Sequence, residues 1–123
     1  MKFKFPSLEK IKGYGKYFEP EKFWQKIKKW ARVIGEESLY YILVLFYALK
    51  DSKTPLKNKI LIAGALGYLI LPLDFIPDAI PIIGFSDDLA AIMTVYKNIV
   101  NSITEDTKLL ARHKAKELIN KPT

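Results

Sequence analysis

Four aspartates stand in the most apolar part of the chain. They fall within Pro72-Leu73-Asp74-Phe75-Ile76-Pro77-Asp78-Ala79-Ile80-Pro81-Ile82-Ile83-Gly84-Phe85-Ser86-Asp87-Asp88. A carboxylate in apolar surroundings costs several kcal/mol unless it is paired, capped or coordinated. Three chemistries answer that cost. Asp74, Asp78, Asp87 and Asp88 could cap turns and helix starts, the usual work of aspartate beside proline and glycine. They could converge on a cation: Asp74 and Asp78 are four apart, so one helical turn sets them on one face, and Asp87 and Asp88 could approach from the next helix. An oxygen-only ligand set without His or Cys would suit Mg²⁺, Ca²⁺ or Mn²⁺, although the spacing is not that of an EF-hand. They could also pair with cations such as Lys57, Lys59 or Arg32.

Catalysis finds little else to work with. The 123 residues hold no cysteine and a single histidine, His113. That removes thiolate chemistry and leaves no basis for a zinc site or a His-centred triad. No phosphate-binding glycine loop is present; Gly13 and Gly15 do not follow a strand. The expectation is a protein that is not an enzyme and carries no cofactor, unless the aspartates hold Mg²⁺ or Ca²⁺.

The elements that would position these acids read as helices. Glu19-Pro20-Glu21 suits a helix start. Phe23, Ile27, Trp30, Ala31 and Ile34 then follow the rhythm of one apolar face, with Trp24 at its border and Lys22, Lys26, Lys28, Lys29 and Arg32 around it. Two readings stay open for this helix. A basic amphipathic helix with tryptophans has the composition of one that lies in a membrane interface, with Phe23, Trp24, Ile27 and Trp30 in lipid and Lys26, Lys28, Lys29 and Arg32 at headgroups. The same pattern suits a surface helix packed on a core.

Gly35 interrupts, and Glu36-Glu37 begin a second helix that is apolar all round from Leu39 to Leu49. Thr54-Pro55 reads as N-cap and first residue of a third. Ala63, Gly64 and Gly67 give it a small-residue face for close approach of another helix, and Pro72 is expected to end it. Ser86 reads as the N-cap of a fourth helix, with a stripe from Leu89 to Ile103. Ser102-x-x-Glu105 reads as a capping box for a fifth, Glu105–Ile119, with Leu110 and Leu118 inward. Residues 1–19 read as a basic flexible arm and residues 20–123 as a single helical domain. The fold expected is all-α: a compact bundle of about five helices around a Pro/Asp-rich connector.

The net charge of +7 lies at the N-terminus: residues 1–35 hold ten Lys/Arg and three acids. Such an arm suits the phosphates of anionic lipid or nucleic acid. No apolar leader follows the basic start, so no secretory signal is expected. The longest apolar runs are Leu39–Leu49, eleven residues, and Ile60–Leu73, fourteen; a spanning helix needs about 20. A compact domain on the inner leaflet is therefore favoured, with re-entrant insertion of 60–85 as the integral alternative. Single-stranded nucleic acid is the rival partner, since Lys interleaves with Phe and Tyr in the arm, but no base-reading helix accompanies it.

The acidic stretch also carries a resemblance. Pro72-x-Asp74-x-Ile76-Pro77-Asp78-x-Ile80-Pro81-x-x-Gly84-x-x-Asp87-Asp88-Leu89, preceded by Gly67-Tyr68-Leu69, resembles the signature of the YkvA-like domain of unknown function, over roughly Tyr47 to Tyr96. The resemblance implies a short helical domain at or in a bacterial membrane, with Asp74, Asp78, Asp87 and Asp88 as its polar centre, and it implies no reaction. The expected role is an interaction or scaffold module on the cytoplasmic face of the membrane. Its partners would be an anionic membrane surface and a protein partner or second copy. The alternatives are a divalent-cation module and a soluble nucleic-acid- or partner-binding protein.

Overall fold

The computed structural model describes residues 7–74 and 85–120, with side chains at 7–70 and 89–120. Six α-helices and two single 3-10 turns make up the described chain, and it contains no strand. The helices are α1 (Leu8–Lys12), α2 (Pro20–Ile34), α3 (Glu36–Lys50), α4 (Leu56–Asp74), α5 (Phe85–Ile99) and α6 (Glu105–Asn120). The all-α bundle matches the expectation, and the sixth helix comes from within the supposed arm.

α3 is the central element. It packs against α2, α4, α5 and α6, and Leu39 and Ile42 through Phe46 are all buried. This is why its sequence is apolar on every side. Gly35 makes the corner before it, with φ of +89°, a conformation that side chains with a Cβ rarely adopt. Its N–H closes α2 on the Ala31 carbonyl at 2.9 Å, and its own carbonyl accepts the Leu39 N–H at 3.0 Å. One residue thus ends one helix and begins the next.

Across that corner α2 folds back on α3 through aromatic rings. Phe23 stacks on Phe46 with centroids 4.7 Å apart, and Trp24 meets the same ring edge-on at 5.0 Å. On the far side, α6 is tied to the start of α3. Arg112 forks onto Glu37 with two bonds of 3.2 and 3.1 Å, comes within 3.6 Å of Glu36 and lies 3.9 Å over the Tyr40 ring.

The N-terminal segment departs most from expectation. Residues 8–17 are not a free arm: α1 and the turn Gly15–Tyr17 both pack on α4. Ile11 is fully buried. The seat is the small-residue face of α4. A Cβ on Gly64 would overlap the Ile11 carbonyl oxygen, and one on Gly67 the Tyr14 carbonyl oxygen. The small face does permit a close backbone approach, and the partner is the chain's own N-terminal segment.

Several local signals also resolve differently. α4 continues two residues past Pro72, to Asp74, although proline gives no N–H to the ladder. α5 starts at Phe85, so Ser86 lies within it. The Thr54 hydroxyl donates to the Ala48 carbonyl at 2.6 Å, fastening the end of α3 instead of capping α4. Thr104, not Ser102, caps α6, accepting the Thr107 N–H at 3.2 Å. The Ser102 hydroxyl instead accepts from the buried Asn58 amide at 3.2 Å and donates to the Ile99 carbonyl at 2.8 Å. Leu118 is buried as expected, but Leu110 is half exposed.

Candidate functional site

The Asn58–Ser102 bond joins the start of α4 to the turn that follows α5. The two helices, which pack on each other, therefore run in opposite directions. The end of α4 and the start of α5 share the other end of the bundle. Asp74 is the last residue of α4, and Asp87 and Asp88 lie in the first turn of α5. Topology thus brings three of the four acid positions to one end. Asp78 lies outside the described residues, and the carboxylates of all four lie outside the described side chains. Among the described residues, no group of three or more His, Asp or Glu could hold a metal ion.

The helix expected to touch lipid is built as its periodicity suggests but faces the other way. Phe23, Ile27 and Trp30 are buried in the core, and Trp24 is half-buried against it. Phe23, Ile27 and Trp30, expected as lipid contacts, are thus covered by protein, and Trp24 is partly so. The reason is local: α2 follows a Gly35 corner that folds it straight onto Phe46 of α3, where its apolar face finds protein first. One polar atom is sacrificed there. The Trp30 indole N–H is buried and meets no acceptor among the described residues.

The opposite face of α2 remains outward. Lys22, Lys28, Lys29 and Arg32 are exposed and Lys26 is half-buried. Lys10, Lys12 and Lys16 add exposed cations from α1 and the turn after it. Glu9 pairs with Lys12 at 3.1 Å, and Glu19 stands 3.9 Å from Lys22.

Two other polar places were not foreseen. The Arg112 guanidinium, hydrogen-bonded to Glu37, holds that carboxyl below its ordinary range. Glu37 is fully exposed, so this is a surface clamp between α3 and α6. An open cleft of about 310 Å³ lies between the end of α3 and the start of α6, lined by Tyr47, Lys50, Asp51, Lys53, Thr104 and Asp106 among others. Burial pushes the Tyr47 hydroxyl up from its ordinary value, away from any role as a base at neutral pH. The cleft balances two lysines against two aspartates and holds no paired nucleophile and base.

Sequence reasoning also missed the apolar residues left outside. Leu56 is 74% exposed and Ile60 46%. Their signal was visible as an i, i+4 apolar pair set among Lys53, Lys57 and Lys59, but the run from Ile60 onward reads as wholly buried.

With this geometry in view, comparison with known proteins shows what part of the chain is similar to. Residues 58–94 match the family described as "Protein of unknown function (DUF1232)". The "Uncharacterized membrane protein YkvA" of Bacillus subtilis (strain 168) is 28% identical over 79 residues, 59% of this chain and 74% of that protein. Over part of its length, then, the chain is similar to YkvA and to a family of unknown function. The family match begins at Asn58, takes in α4 from there, and ends at Thr94 in α5. It therefore centres on the helix pair that carries the acid positions. α1, α2, α3 and α6 lie outside it. No solved structure matches the chain.

Proposed function

We propose that this protein is a peripheral interaction module that rests on the anionic, cytoplasmic face of a membrane, and that it is not a catalyst. The observation that carries the reading is the outer face of α2, where Lys22, Lys28, Lys29 and Arg32 stand exposed above a buried apolar face. Each cation held near an anionic leaflet contributes about 1 kcal/mol, falling off within a Debye length. The attraction is thus electrostatic and salt-sensitive. The relative's name as a membrane protein supports the setting. Among the described residues, no helix is long and apolar enough to cross a membrane.

Co-sedimentation with phosphatidylserine-containing and neutral vesicles tests this. Binding is expected to the anionic vesicles at low salt and to fall as salt rises. The double variant Lys22→Glu, Lys28→Glu alters two exposed positions and should lose most of that binding with its melting temperature little changed. A wild-type protein that ignores anionic vesicles at low salt refutes the proposal. In cells, a high-salt wash should release the protein from membranes; retention through both high-salt and carbonate washes would mean integral association instead.

A further inference from the structure

Besides Tyr17, which is exposed beside Lys16, three exposed apolar sites stand out on the described surface. Val33, 56% exposed, is a single residue between Arg32 and the Ile34 that ends α2. Leu109 and Leu110 are 67% and 49% exposed, but they are sequence neighbours on α6, so they point about 100° apart. Their surroundings carry both signs, with Glu105, Asp106, Lys108 and Arg112 close in sequence. Leu56 and Ile60 differ on both counts. They are one helical turn apart on α4, so their side chains lie one above the other on a single face. The charged residues beside them are all cationic: Lys53, Lys57 and Lys59.

The charge on this stretch of α4 is one-sided: no acid occurs between Ser52 and Leu73. The nearest acids, Asp51 and Asp106, lie with Lys53 in the cleft at the end of α3, where the Asp51 carboxylate accepts the Lys53 backbone N–H at 2.9 Å. The residues approaching from the end of α5, Asn98 through Ser102, carry no charge. Further along the same helix, the Gly64 and Gly67 positions are covered by α1 and the turn after it. Leu56 and Ile60 lie short of that cover.

We propose that Leu56 and Ile60, rimmed by Lys53 and Lys57, form the apolar contact of this protein with an anionic bilayer. The proposal rests on the membrane reading above and deepens it: the cations of α2 supply attraction, and the first two turns of α4 supply the shallow insertion. An apolar pair with a basic rim is complementary to a surface of anionic headgroups over acyl chains. The aliphatic stems of Lys53 and Lys57 can lie along that boundary with their ammonium groups among the phosphates.

The absence of cysteine from the chain makes the test direct. Single variants Leu56→Cys, Ile60→Cys, Val33→Cys and Leu109→Cys are labelled with an environment-sensitive dye and mixed with phosphatidylserine-containing vesicles. The expected result is a blue shift at positions 56 and 60, with quenching by lipids brominated near the headgroup, and little change at 33 and 109. The double variant Leu56→Ser, Ile60→Ser should melt close to wild type, because Leu56 is largely exposed and Ile60 nearly half so, and should bind these vesicles roughly tenfold more weakly. Binding that persists with silent labels at 56 and 60, or with the shift at 109 or 33 instead, overturns this inference and leaves the membrane reading standing. Absence of binding by the unlabelled wild type removes both. A shift at 56 that appears with rising protein concentration and no vesicles means a second copy covers the patch, and likewise overturns it.

Discussion

Gly64→Ala is the sharpest test of how the N-terminal segment is held. On an exposed helix this change stabilises by about 1 kcal/mol, because alanine has the higher helix propensity. Here the sign should reverse. A Cβ at Gly64 would overlap the Ile11 carbonyl oxygen and stand 2.8 Å from its carbonyl carbon. Both are backbone atoms, so no side chain can swing away. Either the bundle absorbs the misfit, at about 1–3 kcal/mol for an overpacked core, or α1 lifts. Lifting exposes Ile11, which is fully buried, and forfeits about 1.5–3 kcal/mol. Set against the propensity gain, the net loss is up to about 2 kcal/mol. For a domain of this size that lowers the midpoint by up to roughly 8 °C. Thermal melts followed by circular dichroism read the shift, and limited trypsin digestion reads the mechanism through faster cleavage at Lys12 and Lys16. Gly13→Ala is the control: the nearest atom to its new Cβ is the Lys10 carbonyl oxygen at 3.5 Å, an ordinary contact, so it should melt at or slightly above wild type. If Gly64→Ala melts as high as wild type and is cut no faster, the close seat of α1 on α4 is wrong.

Two other perturbations probe the ties between elements. Ser102→Ala removes the acceptor of the buried Asn58 amide and should cost about 1–3 kcal/mol for an unsatisfied buried group, read in urea melts; Asn58→Ala in that background should add less than it does alone. Glu37→Gln should give a pH-dependent deficit: the Arg112 hydrogen bond holds the Glu37 carboxyl below its ordinary value, so its contribution is full above the ordinary carboxylate range and is lost as pH falls through the lowered folded value. Wild type and variant should therefore converge in stability at acid pH, and a gap that widens on acidification would refute the clamp.

Helix positions were legible because each has a strong local signal. Glu19-Pro20-Glu21, Gly35 and the uniformly apolar run of α3 fix three boundaries by backbone chemistry alone. The N-terminal segment was not legible for a physical reason. α1 is only five residues long, too short to be stable by itself, and its stability comes from a seat some fifty residues away in sequence. Gly64 and Gly67 announced a close approach without naming the partner. The caps misled because Ser and Thr each offer a donor and an acceptor. Ser102 and Thr54 give their protons to carbonyls that end a preceding helix, a use that sequence spacing does not separate from capping the next one. The four aspartates were legible as a motif, and all four positions fall within the matched residues 58–94. Topology places Asp74, Asp87 and Asp88 at one end of the helix pair, which spacing alone could not supply.

The membrane question turns on the same ambiguity seen from the other side. Periodicity reports that α2 has an apolar face; it does not report which apolar medium meets that face. Protein core and acyl chain both reward burial of Phe23, Ile27 and Trp30, and a connection as tight as Gly35 brings the core within reach first. Once that face is consumed, the informative residues are those that folding leaves outside. Among the described residues, α1 begins at Leu8 with its Ile11 over Gly64, so its cover of α4 stops short of Leu56 and Ile60. The residues that mark a docking surface are thus decided by where a neighbouring element stops. For this chain that reasoning moves the apolar contact from the tryptophan helix to the lysine-rimmed start of α4, where a labelled Leu56→Cys protein on anionic vesicles can contradict it.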